Sequence, residues 1–249
     1  MRRFGLIGYP LSHSFSQKYF TEKFQRENLT GCIYENFPVA SVEELREVLQ
    51  AHPDLEGLNV TIPHKEKVIP LLAWQHEVVQ ATGACNCIKI INGKLYGYNT
   101  DVTGFEQSLV QQLLPIHRKA LVLGTGGAAK AVQYVLQKRG IEYLAVSRHP
   151  KDANQIDYAA VRAILPEYLL VINTTPLGMF PVTDACPPLP YELITPQHFL
   201  FDLIYNPPVT QFLQQGKDRG ALIQNGADML VIQAEESWKI WNSDAGDQN

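Results

Sequence analysis

A lysine and an aspartate, each placed where an apolar segment gives way to polar residues, are the chain's best candidates for acid–base chemistry. Lys65 ends the segment Asn59-Val-Thr-Ile-Pro-His-Lys65, and Asp101 ends the segment Asn99-Thr-Asp101. Because proline is favoured at the first position of a helix, Pro63 predicts that Lys65 lies in the first turn of one. The positive end of a helix disfavours a lysine there, so helix propensity does not explain its presence.

Two interpretations of this pair are open. An aspartate beside a lysine can hold and orient its ammonium group, and such a pair can move a proton to or from a substrate. Alternatively, Lys65 is a solvated side chain and Asp101 caps a helix over residues 102–113, which is a common role of aspartate. For either residue taken alone the second interpretation is the simpler one, so the rest of the chain has to decide.

A glycine-rich segment in the middle of the chain predicts a dinucleotide site. Residues 121–129, Leu-Val-Leu-Gly-Thr-Gly-Gly-Ala-Ala, follow a predicted strand, open a predicted helix and match the pattern G-x-G-x-x-G/A. Gly124 allows the tight turn, Gly126 lets the backbone approach a pyrophosphate, and Ala129 allows close packing of helix on strand. The helix N-terminus then faces the anion. The alternative is a turn that serves packing only, and the strand–turn–helix context favours the dinucleotide.

The end of the next predicted strand indicates which dinucleotide is bound. NAD-binding folds usually carry an acidic residue here for the ribose hydroxyl, whereas this chain has Ser147-Arg148-His149 followed by Lys151. An arginine can bind a 2′-phosphate through two parallel hydrogen bonds, and a carboxylate would repel it. Arg148 therefore favours NADP over NAD. The alternative is an exposed arginine at a strand end.

Composition excludes several classes of function. The chain has 249 residues, of which 45% are hydrophobic and 18% charged, as in ordinary globular proteins. Its net charge of −4 and scattered basic residues argue against binding to nucleic acid or to an anionic membrane. No apolar run approaches the roughly 20 residues of a membrane-spanning helix, and the N-terminal apolar stretch is too short for a signal peptide. A cytoplasmic location is predicted.

The four cysteines predict neither disulfides nor a metal site. In a cytoplasmic chain, Cys32, Cys85, Cys87 and Cys186 are expected to be thiols. Cys85 and Cys87 form a C-x-C pattern, but no second pair and no clustered histidines follow at zinc-site spacing.

Apolar runs of strand length alternate with helical patterns along the whole chain, which predicts an α/β fold with a parallel sheet covered on both faces. The dipeptide Asn92-Gly93 between two of the runs predicts a hairpin. The predicted strands are 4–7, 33–37, 58–62, 84–91, 94–98, 120–123, 143–146, 169–173, 199–203 and 221–224. The predicted helices are 16–27, 42–49, 102–113, 127–139, 158–164, 209–215 and 227–241.

Two α/β lobes are predicted, one over about residues 1–101 and the other over 102–226. The last predicted helix carries an apolar stripe that must be buried against one of them. Periodicity does not decide which lobe it covers. The stripe consists of Leu230, Ala234, Trp238 and Trp241.

With these signals in hand, the chain resembles the quinate/shikimate dehydrogenase family along nearly its whole length. Eight segments match in the family's order, and eight ordered matches are far more specific than any one of them. The matching segments are residues 8–16, 57–65, 83–86, 97–101, 124–128, 173–179, 202–207 and 226–233.

The resemblance implies an N-terminal substrate lobe (1–101), a Rossmann-like NADP(H) lobe with a parallel sheet (102–226), and a last helix (227–249) that packs back onto the first lobe. It implies reversible, NADPH-dependent reduction of 3-dehydroshikimate to shikimate, a step in aromatic amino acid (chorismate) biosynthesis. It also implies a small-molecule substrate, with no nucleic-acid or membrane partner, and a monomer or homodimer.

The resemblance also implies a role for each matching site residue. Lys65 and Asp101 are the expected catalytic pair. The expected substrate-binding residues are Ser14 and Ser16 for a carboxylate, Thr61, Asn86 and Gln233 for ring hydroxyls, and Tyr205. The expected cofactor-binding residues are Gly124, Gly126, Gly127, Ala128, Ala129, Ser147, Arg148, Asn173, Thr174 and Gly226.

Alternatives stay open at this point. Each polar residue has a structural interpretation, such as a serine that caps a helix or a glutamine on a helix surface. At the level of the whole protein, the alternatives are a NAD-preferring quinate/shikimate dehydrogenase and a catalytically silent metabolite sensor.

Overall fold

A computed structural model describes residues 1–11 and 15–244, and these residues form two compact α/β units. The first unit comprises Met1–Thr100 together with the chain from Gln233 onwards, and the second comprises Asp101–Ile232. Each unit contains a six-stranded sheet with helices against it. The predicted α/β fold class is confirmed.

The first unit is built on a mixed sheet in the order β2-β1-β3-β5-β6-β4. Strands β1, β2 and β3 are parallel, and β5 runs antiparallel to both β3 and β6. Its elements are β1 (Arg2–Gly8), α1 (Phe15–Arg26), β2 (Cys32–Pro38), α2 (Leu45–Ala51), β3 (Leu55–Val60), β4 (Trp74–Gln75), α3 (Glu77–Thr82), β5 (Cys87–Ile91) and β6 (Lys94–Tyr98).

These strand directions bring several loops to one edge of the first sheet. The carboxyl ends of β1, β3 and β6 lie at the same edge as the amino end of β5. The hairpin that reverses the chain between β5 and β6 turns at Asn92 and Gly93, whose φ angles are 51° and 74°. Positive φ at both positions is what a two-residue hairpin turn requires, and the predicted hairpin is confirmed.

The second unit contains an all-parallel sheet in the order β12-β11-β10-β7-β8-β9. Numbered from β7, this is the order 3-2-1-4-5-6 of a Rossmann fold, so the predicted parallel sheet is confirmed. The elements from Thr100 onwards are α4 (Thr100–Leu109), β7 (Lys119–Leu123), α5 (Gly127–Lys138), β8 (Glu142–Val146), β9 (Gln155–Ile156), α6 (Tyr158–Ile164), β10 (Leu170–Asn173), β11 (Phe199–Asp202), α7 (Gln211–Lys217), β12 (Leu222–Gln224) and α8 (Ala227–Asn242).

Two inner strands of the second sheet, β10 and β11, show why their sequences are apolar up to a final Asn173 and Asp202. Every residue of β10 and β11 is buried. Strands of a parallel sheet with helices on both faces have no solvent side, and an alternating pattern would bury polar side chains.

Helix α8 begins in the second unit and belongs to the first from Gln233 onwards. The rings of Trp238 and Trp241 lie 5.3 and 4.9 Å from that of Phe4 in β1. A Cβ atom on Gly57 would lie 2.4 Å from Trp241, so only glycine lets the indole approach the sheet so closely. Of the apolar stripe, Ala234 and Trp241 are buried, and Leu230 and Trp238 are half-buried.

One local prediction is wrong: Lys65 does not lie in the first turn of a helix. Residues 61–68 form turns, and the first helical residues are the 3₁₀ turn Ile69–Leu71. The carbonyl of Lys65 accepts a hydrogen bond from the backbone of Cys85 at 2.7 Å, and Nε2 of the fully buried His64 bonds the carbonyl of Val39 at 2.7 Å. These tertiary contacts override the local preference for a helix after proline.

Helix α4 starts earlier than predicted, at Thr100, so Asp101 lies in its first turn rather than at its cap. Within residues 1–11 and 15–244, no helix combines the length and the apolar character needed to cross a bilayer.

Candidate active site

The edge of the first sheet gathers the predicted substrate-binding side chains. Backbone hydrogen bonds join Asn86 to both neighbouring strands: its carbonyl accepts from Val60 at 2.8 Å, and its amide donates to Tyr98 at 3.1 Å. Asn86 is therefore fixed between the ends of β3 and β6. Thr61 and Lys65 follow β3, and both are half-buried. Strand direction thus brings together residues that are distant in the sequence.

Asn86 is the centre of a buried polar cluster. Its side-chain nitrogen donates to Oγ1 of Thr100 at 3.0 Å and to Oε1 of Gln233 at 3.4 Å, and its Oδ1 accepts from the amide of Thr100 at 2.6 Å. Both Asn86 and Gln233 are buried, so the interpretation of Gln233 as a plain surface residue is excluded. The cluster presents amide and hydroxyl groups, which suit the hydroxyls of a neutral ring.

Of the two serines expected to bind a carboxylate, Ser14 lies outside the described residues. Ser16 is the second residue of α1 and is half-buried. It follows β1, and so it belongs to the same sheet edge.

The two predicted catalytic residues are both partly or largely withdrawn from solvent. The half-buried Lys65 is anchored through its carbonyl to Cys85, directly before Asn86. Asp101 is only 7% exposed, in the first turn of α4. Their pairing stays a prediction.

The glycine-rich loop lies at the topological switch point of the second sheet. Chain order reverses between β7 and β10, and in open α/β sheets ligands bind beyond the carboxyl ends of the strands at such a point. Gly124 follows β7 with φ of +107°, and a Cβ atom there would lie 2.8 Å from Oγ1 of Thr174, the residue that follows β10. Thr174 in turn bonds the carbonyl of Leu123 at 2.6 Å. The position of Gly124 accepts only glycine.

The start of α5 presents open backbone to this site. Gly126 is the N-cap with φ of −79°, and in the described part of the chain no atom lies within 4 Å of where its Cβ would stand. Beyond it, Gly127 and Ala128 are half-buried and Ala129 is fully buried against the sheet. Backbone N–H groups at the start of a 12-residue helix, with space in front of them, form an anion site.

The carboxyl end of β8 carries the residues expected at the adenosine ribose. Ser147 is half-buried and its hydroxyl accepts from the backbone of His149 at 3.2 Å, while Arg148 is exposed. An exposed guanidinium at this strand end is available to a phosphate, and contact with the cofactor stays a prediction.

A buried carboxylate ties together the loops beyond β10 and β11. Asp202 accepts hydrogen bonds from Nδ2 of Asn173 at 3.0 Å, from the backbone of Ile204 at 3.0 Å and from Oγ1 of Thr210 at 2.6 Å. Burial raises the pKa of Asp202 to about 6, although each of these donors favours the charged form. Asn173 is fully buried, and its Oδ1 accepts from both the amide and the hydroxyl of Thr175. These bonds make Asn173 part of the scaffold; its contact with the cofactor stays a prediction.

Tyr205 and Gly226 lie on neighbouring loops of the second unit. Tyr205 is half-buried, and burial raises its pKa. The amide of Gly226 bonds the carbonyl of Ile204 at 3.1 Å, and a Cβ atom on Gly226 would lie 2.1 Å from the carbonyl oxygen of Leu203. Only glycine fits at that crossing, and the ligand contacts predicted for both residues stay predictions.

Sequence reasoning gave no role to several polar residues that the structure places behind the site. Tyr34, Asn59, Ser237 and Asp202 are all buried and hydrogen-bonded. The one available signal was a polar residue inside an apolar pattern, such as Asn59 within β3 or Ser237 one turn after Gln233 on α8. The C-x-C cysteines are thiols in different core clusters; Cys85 precedes β5, and Cys87 is the first residue of that strand.

Comparisons with known proteins agree with this geometry. Residues 6–88 match the family model described as the shikimate dehydrogenase substrate binding domain. The shikimate dehydrogenase (NADP(+)) of Desulforamulus reducens is 34% identical, and the alignment covers 95% of this chain and 88% of the relative. The enzyme of the same description from Staphylococcus aureus strain Newman is 36% identical over 99% of this chain and 95% of the relative.

Solved structures show the same architecture. The crystal structure of shikimate dehydrogenase from Aquifex aeolicus matches with a TM-score of 0.87 and 32% identity, over 97% of this chain and 92% of that one. Shikimate 5-dehydrogenase from Thermus thermophilus, in complex with NADP(H) and shikimate, matches with a TM-score of 0.80 and 30% identity, over 97% and 94% of the two chains. Since sequence and fold agree over almost the full length, the chain belongs to the shikimate dehydrogenase family.

Proposed function

We propose that this chain interconverts 3-dehydroshikimate and shikimate with NADP(H) and thereby serves aromatic amino acid biosynthesis. The observation that carries the proposal is the cluster of Asn86, Thr100 and Gln233 at the sheet edge that also bears Thr61 and Lys65. Its support is membership of a family whose curated relatives act as NADP-dependent shikimate dehydrogenases.

The substrate is a ring with several hydroxyls and one carboxylate, and the first unit offers groups of matching chemistry. Amides and hydroxyls can each donate and accept, so Thr61, Asn86 and Gln233 suit ring hydroxyls in either orientation. Ser14 and Ser16 would donate to the carboxylate. Tyr205 is the remaining residue proposed to bind substrate.

Lys65 and Asp101 would carry the proton transfer. In the direction of reduction, NADPH supplies a hydride to the carbonyl carbon. The electron pair of the C=O bond moves onto the oxygen, and the ammonium group of Lys65 stabilises that charge and gives it a proton. In the reverse direction the amine of Lys65 accepts the proton of the hydroxyl. Asp101 would orient Lys65 and bind the neighbouring hydroxyl.

The second unit has the features that a dinucleotide needs. The open space in front of Gly126 and the unobstructed N-terminus of α5 suit a pyrophosphate. Gly127, Ala128 and Ala129 continue this surface, and Asn173, Thr174 and Gly226 would line it. Ser147 and Arg148 would hold the 2′-phosphate of NADP.

Reduction of NADP, followed at 340 nm with purified protein and shikimate, tests the proposal. We expect rapid reduction of NADP with shikimate, slower reduction of NAD, and little turnover of quinate. Comparable rates with NAD or quinate would instead identify a broader quinate/shikimate dehydrogenase. A folded protein that binds shikimate without turnover would be a metabolite sensor.

Three further expectations from the sequence remain proposals: a cytoplasmic location, no nucleic-acid partner, and a monomeric or homodimeric state. Light scattering coupled to size-exclusion chromatography would measure the last directly.

A further inference from the structure

A continuous series of buried, uncharged side chains lies behind the substrate-binding residues of the first unit. Tyr34 in β2 is 5% exposed, and its hydroxyl donates to Oδ1 of Asn59 at 2.8 Å. This bond links Tyr34 to the centre of the sheet.

The series continues from Asn59 to helix α8. Nδ2 of Asn59 donates to Oγ of Ser237 at 2.9 Å, and Oγ of Ser237 donates to the carbonyl of Gln233 at 2.9 Å. Ser237 also lies 3.3 Å from Oγ1 of Thr100, which accepts from Asn86. The other end of the series therefore reaches the residues proposed to bind the ring hydroxyls.

We propose that Tyr34, Asn59 and Ser237 form a positioning relay that holds Gln233, Thr100 and Asn86 in the arrangement that binds shikimate. The inference rests on the proposed function and deepens it, because neither Tyr34 nor Ser237 is among the residues expected to touch substrate.

Donor and acceptor counts fix the direction of the relay. The single proton of Tyr34 is used on Asn59, and that of Ser237 on the carbonyl of Gln233. The amide of Asn59 is held in one orientation, since its oxygen faces a donor and its nitrogen an acceptor. Burial raises the pKa of Tyr34 well above its usual range, so the phenol keeps its proton. A buried network in which every group is satisfied is rigid, and one missing member leaves its neighbours unpaired.

A purely structural role is the alternative. Lys23 and the two tryptophans of α8 already hold that helix against the sheet: Nζ of Lys23 lies 3.0 Å from Glu235, and Trp241 bonds the carbonyl of Ile88 at 3.0 Å. If the hydroxyls of Tyr34 and Ser237 only added to this attachment, removing them would lower the melting temperature and leave substrate affinity unchanged.

Tyr34→Phe is the decisive variant because it keeps the ring, which stacks on Phe20 at 4.6 Å, and removes only the hydroxyl. We expect the KM for shikimate to rise roughly five- to tenfold, as for the loss of one or two buried hydrogen bonds. We expect the KM for NADP and kcat to stay within about twofold, since the relay includes neither the glycine loop nor Lys65.

Tyr168→Phe is the matched control. Tyr168 is also a buried tyrosine, 6% exposed, and its hydroxyl donates to Glu142 at 3.0 Å in the second unit. We expect it to lower stability without changing the KM for shikimate. A Tyr34→Phe enzyme whose KM matches that of Tyr168→Phe would overturn the relay.

Ser237→Ala tests the other end of the same relay. It should raise the KM for shikimate by a similar factor, and the double variant Tyr34→Phe/Ser237→Ala should exceed the larger single effect by less than about twofold, because both changes break one network. Fully multiplicative effects would contradict a shared relay.

The proposed function can fail separately. If the unaltered protein binds shikimate but does not turn it over, the enzyme assignment is wrong, and calorimetric titration of shikimate into the unaltered protein and Tyr34→Phe still decides the relay. Equal dissociation constants would refute the relay, and roughly five- to tenfold weaker binding by Tyr34→Phe would support it.

Discussion

The two units place their proposed ligand-binding groups at the same structural position, beyond the carboxyl ends of parallel strands, but these groups differ in their chemistry. In the first unit the groups are side chains such as Asn86 and Gln233, each held by other side chains. In the second they are mostly backbone N–H groups, exposed where Gly124 and Gly126 remove side chains. The difference follows from the ligands, because a polyhydroxylated ring needs groups of definite direction and a pyrophosphate needs many donors and free space.

The two units also differ in the charge of their buried networks. The relay of Tyr34, Asn59 and Ser237 is uncharged, whereas the loops of the second unit are tied by the carboxylate of Asp202. A neutral network is insensitive to pH over the range in which an enzyme works. A carboxylate whose pKa is about 6, in contrast, changes its charge within that range.

Loss of Lys65 should produce the largest effect, because it removes the proposed acid–base group of the first unit. We expect Lys65→Ala to lower kcat by roughly a thousandfold, within the range for general acid–base groups, and to change the KM for shikimate much less. Steady-state kinetics at 340 nm with saturating NADP measures both constants.

Lys67→Ala is the control, since Lys67 is exposed and lies two positions further along the same turns. Its kinetics should match the unaltered enzyme. A near-normal kcat for Lys65→Ala would show that Lys65 is not the acid–base group. The first unit would then supply only groups that bind substrate.

The second effect in size concerns Asp202 and tests the contrast in charge. The pKa of Asp202 rises from 3.8, the value of an unperturbed aspartate, to about 6 when the chain is folded, because of burial. The folded state therefore binds the proton more tightly than the unfolded state. The stability this provides is complete below about pH 4 and is lost as the pH rises through about 6. At about 1.36 kcal/mol per pKa unit, the loss is on the order of 3 kcal/mol.

Asp202→Asn removes this dependence. Urea unfolding between pH 4 and pH 8 should show that the free energy of unfolding of the variant increases relative to that of the unaltered protein as the pH rises. Asp157→Asn is the control, because Asp157 is an exposed carboxylate that caps α6 in the same unit. Parallel pH profiles for the unaltered protein and Asp202→Asn would show that Asp202 is no more costly than a surface carboxylate.

The same contrast explains which parts of the molecule the sequence predicts. The glycine loop and the strands of the second sheet are local features: β7, β8, β10 and β11 lie within one residue of their predicted bounds, because a continuous apolar run marks a strand buried on both faces. Strands β4 and β9 have two residues each, too few to carry a pattern. Helix α3 is capped by His76, whose ring accepts from Val78, rather than by the residues usual at that position.

The site of the first unit depends on long-range contacts, and these are what periodicity cannot supply. Asn59 and Ser237 are hydrogen-bonded although 178 positions separate them. Family resemblance singled out Asn86 and Gln233, which belong to matching segments, but it gave no reason to connect Tyr34 with Asn59. The helix predicted after Pro63 does not form for the same reason. The hydrogen bond from the amide of Cys85 to the carbonyl of Lys65 joins two separate segments, and periodicity within one segment cannot predict it.

The substitution Gly126→Ser should have the smallest effect on stability of these changes. It is also the sharpest test of the proposed cofactor site in the second unit. Gly126 has an ordinary φ of −79° and open space around its missing side chain, and serine is a better N-cap than glycine. The variant should therefore unfold at the same temperature or slightly higher. Its side chain would nevertheless occupy the space through which a pyrophosphate reaches the start of α5, so we expect the KM for NADP to rise at least about tenfold with little change in that for shikimate.

Gly31→Ser, at another open position with no left-handed φ, should change neither constant. Normal binding of NADP by Gly126→Ser would show that the cofactor does not need access to the backbone at this turn. The contrast between side-chain recognition in the first unit and backbone recognition in the second would then be wrong.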